Sequence, residues 1–87
     1  MPQREISHAY AWRSFNPVYG PWYRLIQAGG KNLSGGEAVL MPDMDKGRWF
    51  WHVRIGTAKN PRETFSGHEP SLDEAKKTAM AVFREHY

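Results

Sequence analysis

Along Arg48–Ile55 the chain alternates strictly between two kinds of side chain. One parity reads Trp49, Trp51, Val53, Ile55 and the other reads Arg48, Phe50, His52, Arg54. Successive residues of a strand point to opposite faces. The run therefore predicts a β-strand with one wholly apolar face and one basic face that carries an aromatic ring. A different period follows at Leu72–Tyr87. At 100° per residue Leu72, Ala75, Ala79, Val82, Phe83 and His86 share one face, and Asp73, Glu74, Lys77, Ala81, Arg84 and Glu85 lie opposite. Ser71-Leu72-Asp73-Glu74 starts this helix as a capping box, with Ser71 accepting from the amide of Glu74 and Glu74 reaching back to the amide of Ser71. Acids in the first turn and Arg84 and His86 in the last suit the helix dipole. The helix would be about 24 Å long at 1.5 Å per residue. Its small Ala75 and Ala79 allow close approach to a sheet face paved with two tryptophans.

The other segments are read from their punctuation. Glu37–Met41 is a strand opened by Gly35-Gly36 and stopped by Pro42. Pro42–Gly47 is a turn ending in a glycine suited to positive φ. Gly56–Pro61 is the next connection and Arg62–Ser66 the next strand, with Arg62 and Thr64 on one face and Phe65 on the other. Three strands joined by loops of about six residues suit an antiparallel meander. Gly67-His68-Glu69-Pro70 then leads into the helix. Trp22–Ala28 reads either as a short strand or as a helical turn begun by Pro21 and closed by Gly29.

Residues 1–22 show no period. His8, Tyr10, Trp12, Phe15, Tyr19 and Trp22 are spread among Pro2, Pro17, Gly20 and Pro21, and prolines so placed disfavour a continuous helix or a central strand. Six rings are nevertheless too many for an ordinary disordered tail. The stretch reads as an irregular aromatic arm that packs at least partly on the domain. The expectation is an α+β chain: an arm over residues 1–22, then one domain over 23–87. That domain has a three-stranded antiparallel sheet, four-stranded if Trp22–Ala28 is a strand, packed against one C-terminal helix.

Size and composition support a core-dependent fold. A chain of 87 residues buries only roughly 60–65% of its unfolded surface. With no cysteine, neither disulfides nor a thiolate metal site reinforce it. The four Trp, four Tyr and four Phe meet that need. No apolar run approaches the ~20 residues that span a bilayer. The opening Met-Pro-Gln-Arg-Glu lacks the apolar core of a signal peptide. A cytoplasmic location without a membrane partner is expected.

Charge singles out one region. The net charge is +3, and Lys46, Arg48, Arg54, Lys59 and Arg62 follow one another without an intervening acid. The rest of the chain is slightly acidic. Such concentration is the footprint of a surface for a polyanion, although surface strands also carry Arg and Lys to stay soluble and to block edge pairing. If the helix covers the tryptophan face, the opposite face presents Arg48, Phe50, His52, Arg54, Arg62 and Thr64. Arginines on a sheet can read guanine edges in the major groove. Lys46 and Lys59 in the flanking loops could hold phosphates. Phe50 could touch a thymine methyl or stack on an unpaired base.

The run Lys46-Gly47-Arg48-Trp49, then Val53-Arg54-Ile55, Arg62-Glu63-Thr64-Phe65 and Asp73-Glu74-Ala75, resembles the plan of AP2-type DNA-binding domains. It is also similar to the amino-terminal arm-binding domains of tyrosine integrases. The resemblance covers roughly the last half of the chain. It implies a three-stranded sheet backed by one helix, with duplex DNA read by exposed strand residues. The Ser66–Pro70 connection is longer than is usual in those families, and the aromatic arm has no counterpart there.

The alternative is a protein-interaction module, a small phage or bacterial adaptor or inhibitor. Tyr10, Trp12, Phe15, Tyr19 and Trp22 would supply the aromatic anchors typical of interface hot spots. An edge strand could instead accept a partner strand, and a homodimer could form through either. No enzymatic activity and no cofactor are expected. His8, His52, His68 and His86 lack metal-ligand spacing. His68-Glu69 and the Asp43, Asp45 pair read as turn residues. Lys31 does not belong to a phosphate loop, because Leu25 stands where the first glycine should and Asn32 replaces the Ser or Thr.

Overall fold

The computed structural model describes residues 10–15 and 21–87. It is built on one antiparallel sheet and one helix. The strands are β1 (Tyr10–Phe15), β2 (Trp22–Gln27), β3 (Gly36–Asp43), β4 (Arg48–Gly56) and β5 (Pro61–Glu69), and the helix is α1 (Leu72–His86). Spatial order follows chain order, β1-β2-β3-β4-β5. The helix forms as its sequence predicts. The Ser71 hydroxyl accepts from the Glu74 amide at 3.2 Å, and Ala75, Ala79 and Phe83 are fully buried.

The core joins α1 to one face of the central strands. Directly opposed residues of an antiparallel pair share a face, and β3 sets Ala38 and Leu40 opposite Val53 and Trp51. These four residues, with Leu25, Ile55, Ala75, Ala79 and Phe83, form the buried cluster. Tyr10 rests its edge on Phe83 at 5.4 Å, and Tyr87 stacks on Phe83 at 4.4 Å. The Tyr87 hydroxyl then donates to the Ser34 carbonyl at 2.7 Å, which ties the end of the helix to the loop before β3.

The sheet has five strands, not the three or four expected. β1 lies in the aromatic arm, and β2 is the strand that Trp22–Ala28 offered as one of its two readings. Tyr10, Trp12 and Ser14 pair with Gln27, Leu25 and Tyr23 on the helix side, while Ala11, Arg13 and Phe15 pair with Ile26, Arg24 and Trp22 on the other. The alternation is real but short, and the prolines taken to forbid strands stand beyond Phe15 and at Pro21, just ahead of β2. Residues 1–9 and 16–20, with His8 and Tyr19 among them, lie outside the described residues. Trp22–Ala28 is thus a strand up to Gln27. Its hydrogen-bonded ladder to β3 is brief, Tyr23↔Leu40 and Arg24↔Val39, before the strands part around the loop that bridges Ile26 to Asn32.

Two strand ends also move. Pro42 does not stop β3 but pairs in register with Trp49. It is tolerated because the ladder with β2 ends at Leu40, so no neighbour on that side needs its missing N–H. The turn is made by Asp43–Gly47, where the amides of Lys46 and Gly47 both donate to the Asp43 carbonyl and Gly47 takes φ +66°. At the other end, Gly67-His68-Glu69 is strand rather than loop, paired with Trp51, Phe50 and Trp49. Gly67 marks a packing need: a Cβ there would sit 3.0 Å from the Trp51 indole.

Phe83 is the side chain on which helix, β1 and C-terminus converge. Phe83→Ala is expected to cost about 3–5 kcal/mol, read as a lowered denaturation midpoint with an unchanged slope. Tyr87→Phe, which removes one hydrogen bond, should cost about 1 kcal/mol.

Candidate nucleic-acid interface

With α1 on one side, the register assigns the other face residue by residue. β4 contributes Arg48, Phe50, His52 and Arg54, and β5 contributes Thr64, Ser66 and His68, while Arg62 falls at the register shift between the Ile55–Glu63 and Gly56–Pro61 pairs. Five of the six strand residues expected from sequence therefore share the open face, and Arg62 is exposed at its margin. Lys46 and Lys59 are exposed in the turns before and after β4. They flank the face from opposite ends of β4, which runs about 27 Å at ~3.4 Å per residue.

The same face continues over the other three strands, of which β1 was not expected from the sequence. β3 adds Glu37, Val39, Met41 and Asp43. β2 adds Trp22, Arg24 and Ile26, and β1 adds Ala11, Arg13 and Phe15. The only signal that could have found Arg13 and Arg24 was the parity of Tyr10–Phe15 against Trp22–Gln27. His68 was hidden because Gly67 reads as a turn. The aromatic residues of the arm are divided: Tyr10 and Trp12 turn inward and pack against the core, whereas Phe15 and Trp22 lie on the open face.

Two arginines are already held. Arg54 donates from Nη1 to Glu37 Oε1 at 2.8 Å and from Nε to the Gly56 carbonyl at 3.0 Å. Arg48 Nε donates to Asp43 Oδ2 at 3.3 Å, and His68 Nε2 lies 3.8 Å from the same oxygen. Asp43 and Glu37 are the acids of the face. Arg13, Arg24 and Arg62 have no ion pair among the described residues. Arg24 sets its guanidinium over the Phe15 ring at 5.0 Å, a cation–π contact.

Two clefts open at its margins. One of about 340 Å³ is lined by Lys46, Gly47, Arg48, His68, Glu69 and Pro70. The other, about 240 Å³, lies where β2 and β3 part, with Arg24, Glu37 and Arg54 on its rim. Among the described residues no group of three His, Asp or Glu is placed to hold a metal ion, and no helix is long and apolar enough to cross a membrane. No family model matches the chain, and no curated protein or solved structure matches it.

The Arg54–Glu37 pair is partly exposed, with side chains 21% and 32% accessible. Such pairs typically contribute about 0.2–1 kcal/mol. A double-mutant cycle with Arg54→Ala and Glu37→Ala should therefore return a coupling below about 1 kcal/mol in urea unfolding, and smaller still at high salt.

Proposed function

We propose that this chain is a small non-enzymatic module that binds nucleic acid, DNA in the first instance, through the open face of its sheet. The observation that carries the reading is the segregation of charge. Arg13, Arg24, Arg48 and Arg54 lie on one face, with Arg62 at its margin, and only Glu37 and Asp43 oppose them, whereas α1 balances Asp73, Glu74 and Glu85 with Lys76, Lys77 and Arg84. A net positive, partly apolar surface attracts the phosphate backbone and can then contact bases. AP2-type and integrase arm-binding domains, which the last half of the sequence resembles, use the face of a three-stranded sheet in this way, whereas the sheet here has five strands.

A second reading rests on β5. Its outer edge pairs with no strand among the described residues, and nine residues of edge are long enough to accept a partner strand or a second copy. Pro61, Arg62, Glu63 and Glu69 along it are the residues with which sheets commonly discourage such pairing, so this reading stands second.

Binding of labelled duplex DNA, measured as salt is raised, tests the first reading. The expected result is micromolar or tighter binding at low salt that falls steeply with added salt. Arg13→Gln/Arg62→Gln should weaken it and lower the slope of log affinity against log salt by up to about 2. Glu37→Gln should strengthen it. Absence of binding to any nucleic acid at low salt would overturn the proposal, because electrostatic adhesion is greatest there.

A further inference from the structure

The open face is not a random mixture of arginine and ring. Across its end nearest the β3–β4 turn, every strand contributes one large flat or flexible apolar-faced side chain to a single transverse row. Phe15 pairs with Trp22, Met41 with Phe50, and Phe50 with His68. Continuing the Tyr23↔Leu40 register by one residue sets Trp22 beside Met41. The rings are in contact at the two ends of the row: Phe15 and Trp22 lie 5.8 Å apart, and Phe50 and His68 lie 5.1 Å apart. At ~4.8 Å per strand the row spans about 19 Å.

Charge brackets this row on both sides. The next row inward begins Arg13, Arg24. Beyond the row on the other side lie Arg48 and Lys46, on the rim of the cleft that His68 also lines. None of the five row residues is wholly buried. Half-buried aromatic side chains beside cations fit the stacking of unpaired bases.

We infer that the ligand of this face is a single-stranded nucleic acid, whose bases stack on the Phe15–Trp22–Met41–Phe50–His68 row while its phosphates run along the flanking cations. This inference rests on the nucleic-acid reading above and narrows it. Room exists for about two or three stacked bases, as on other sheets that present aromatics to RNA. Unpaired DNA and RNA share this chemistry, and the sheet face alone does not choose between them.

The test compares labelled oligothymidylate, oligouridylate and a mixed-sequence duplex at the same salt, with intrinsic fluorescence recorded in parallel. Single strands should bind more tightly than the duplex, and they should quench the tryptophan emission by an amount that Trp22→Leu removes in large part. Trp22→Leu and Phe50→Leu keep apolar volume but lose the π-face, and each should weaken single-strand binding about tenfold. Trp22→Phe and Phe50→Tyr should restore most of it, which separates stacking from a loss of fold. Preference for oligothymidylate or for oligouridylate, with these effects, supports the platform and assigns its source. Duplex binding as tight as single-strand binding, or leucine variants that bind normally, would overturn the platform and leave the electrostatic reading intact. Failure of all three probes at low salt would overturn both.

Discussion

The close seat of α1 on the centre of the sheet is the contact on which the rest of the molecule depends. Ala75 and Ala79 carry only a methyl each, so the helix backbone comes down near Trp51, Val53 and Ile55, and all five are buried. A larger residue at either position would lift the helix and open voids along its whole length, because interiors tolerate little volume change. The same closeness governs the opposite strand, where Gly67 leaves room for the Trp51 indole. Among the described residues the Trp51 N–H has no hydrogen-bond partner, a cost of about 1–3 kcal/mol outweighed by the apolar area that the ring buries.

One helix can cover only part of a five-stranded sheet. It lies chiefly over β3 and β4, and the flanking strands reach it through aromatic side chains: Tyr10 from β1 touches Phe83, and Phe65 from β5 stacks on His86 at 4.4 Å. The other face has no described element above it. Ile26 and Val39 are nevertheless 5% and 6% exposed there. Val39 sits in a row between Arg24 and His52, so long neighbouring side chains shield it while keeping their polar ends in water. The open face is thus a packed layer in its own right, with preordered rings and guanidinium groups.

How much of this was legible depended on the length of each repeat. The helix was readable because its face recurs over four turns and its cap is written in Ser71 and Glu74. β4 was readable because eight residues alternate with Phe50 as the one exception. β1 was not, because six residues between prolines give three inward positions, one of which is Ser14. Glycine and proline misled where they served packing or edges: Gly67 was read as a turn and Pro42 as a stop, and both lie within strands. Of the candidate face, the β4 and β5 half was therefore visible in the sequence. The β1 and β2 half depended on long-range pairing that local pattern does not encode.

The missing half changes the chemistry of the face, not only its size. Arg48 and Arg54, the most prominent cations in the linear sequence, are turned partly toward Asp43 and Glu37. A charge already paired is a weaker attractor for a phosphate, since the new contact must compete with the old carboxylate. Arg13 and Arg24 come from β1 and β2 and meet no acid among the described residues. Positive potential is therefore displaced toward β1 and β2, the side on which Phe15 and Trp22 also lie. The ion pairs fix the planes of Arg48 and Arg54 beside the central rings, and the outer arginines supply the field. A division of that kind favours a ligand that first arrives by charge and then settles by shape.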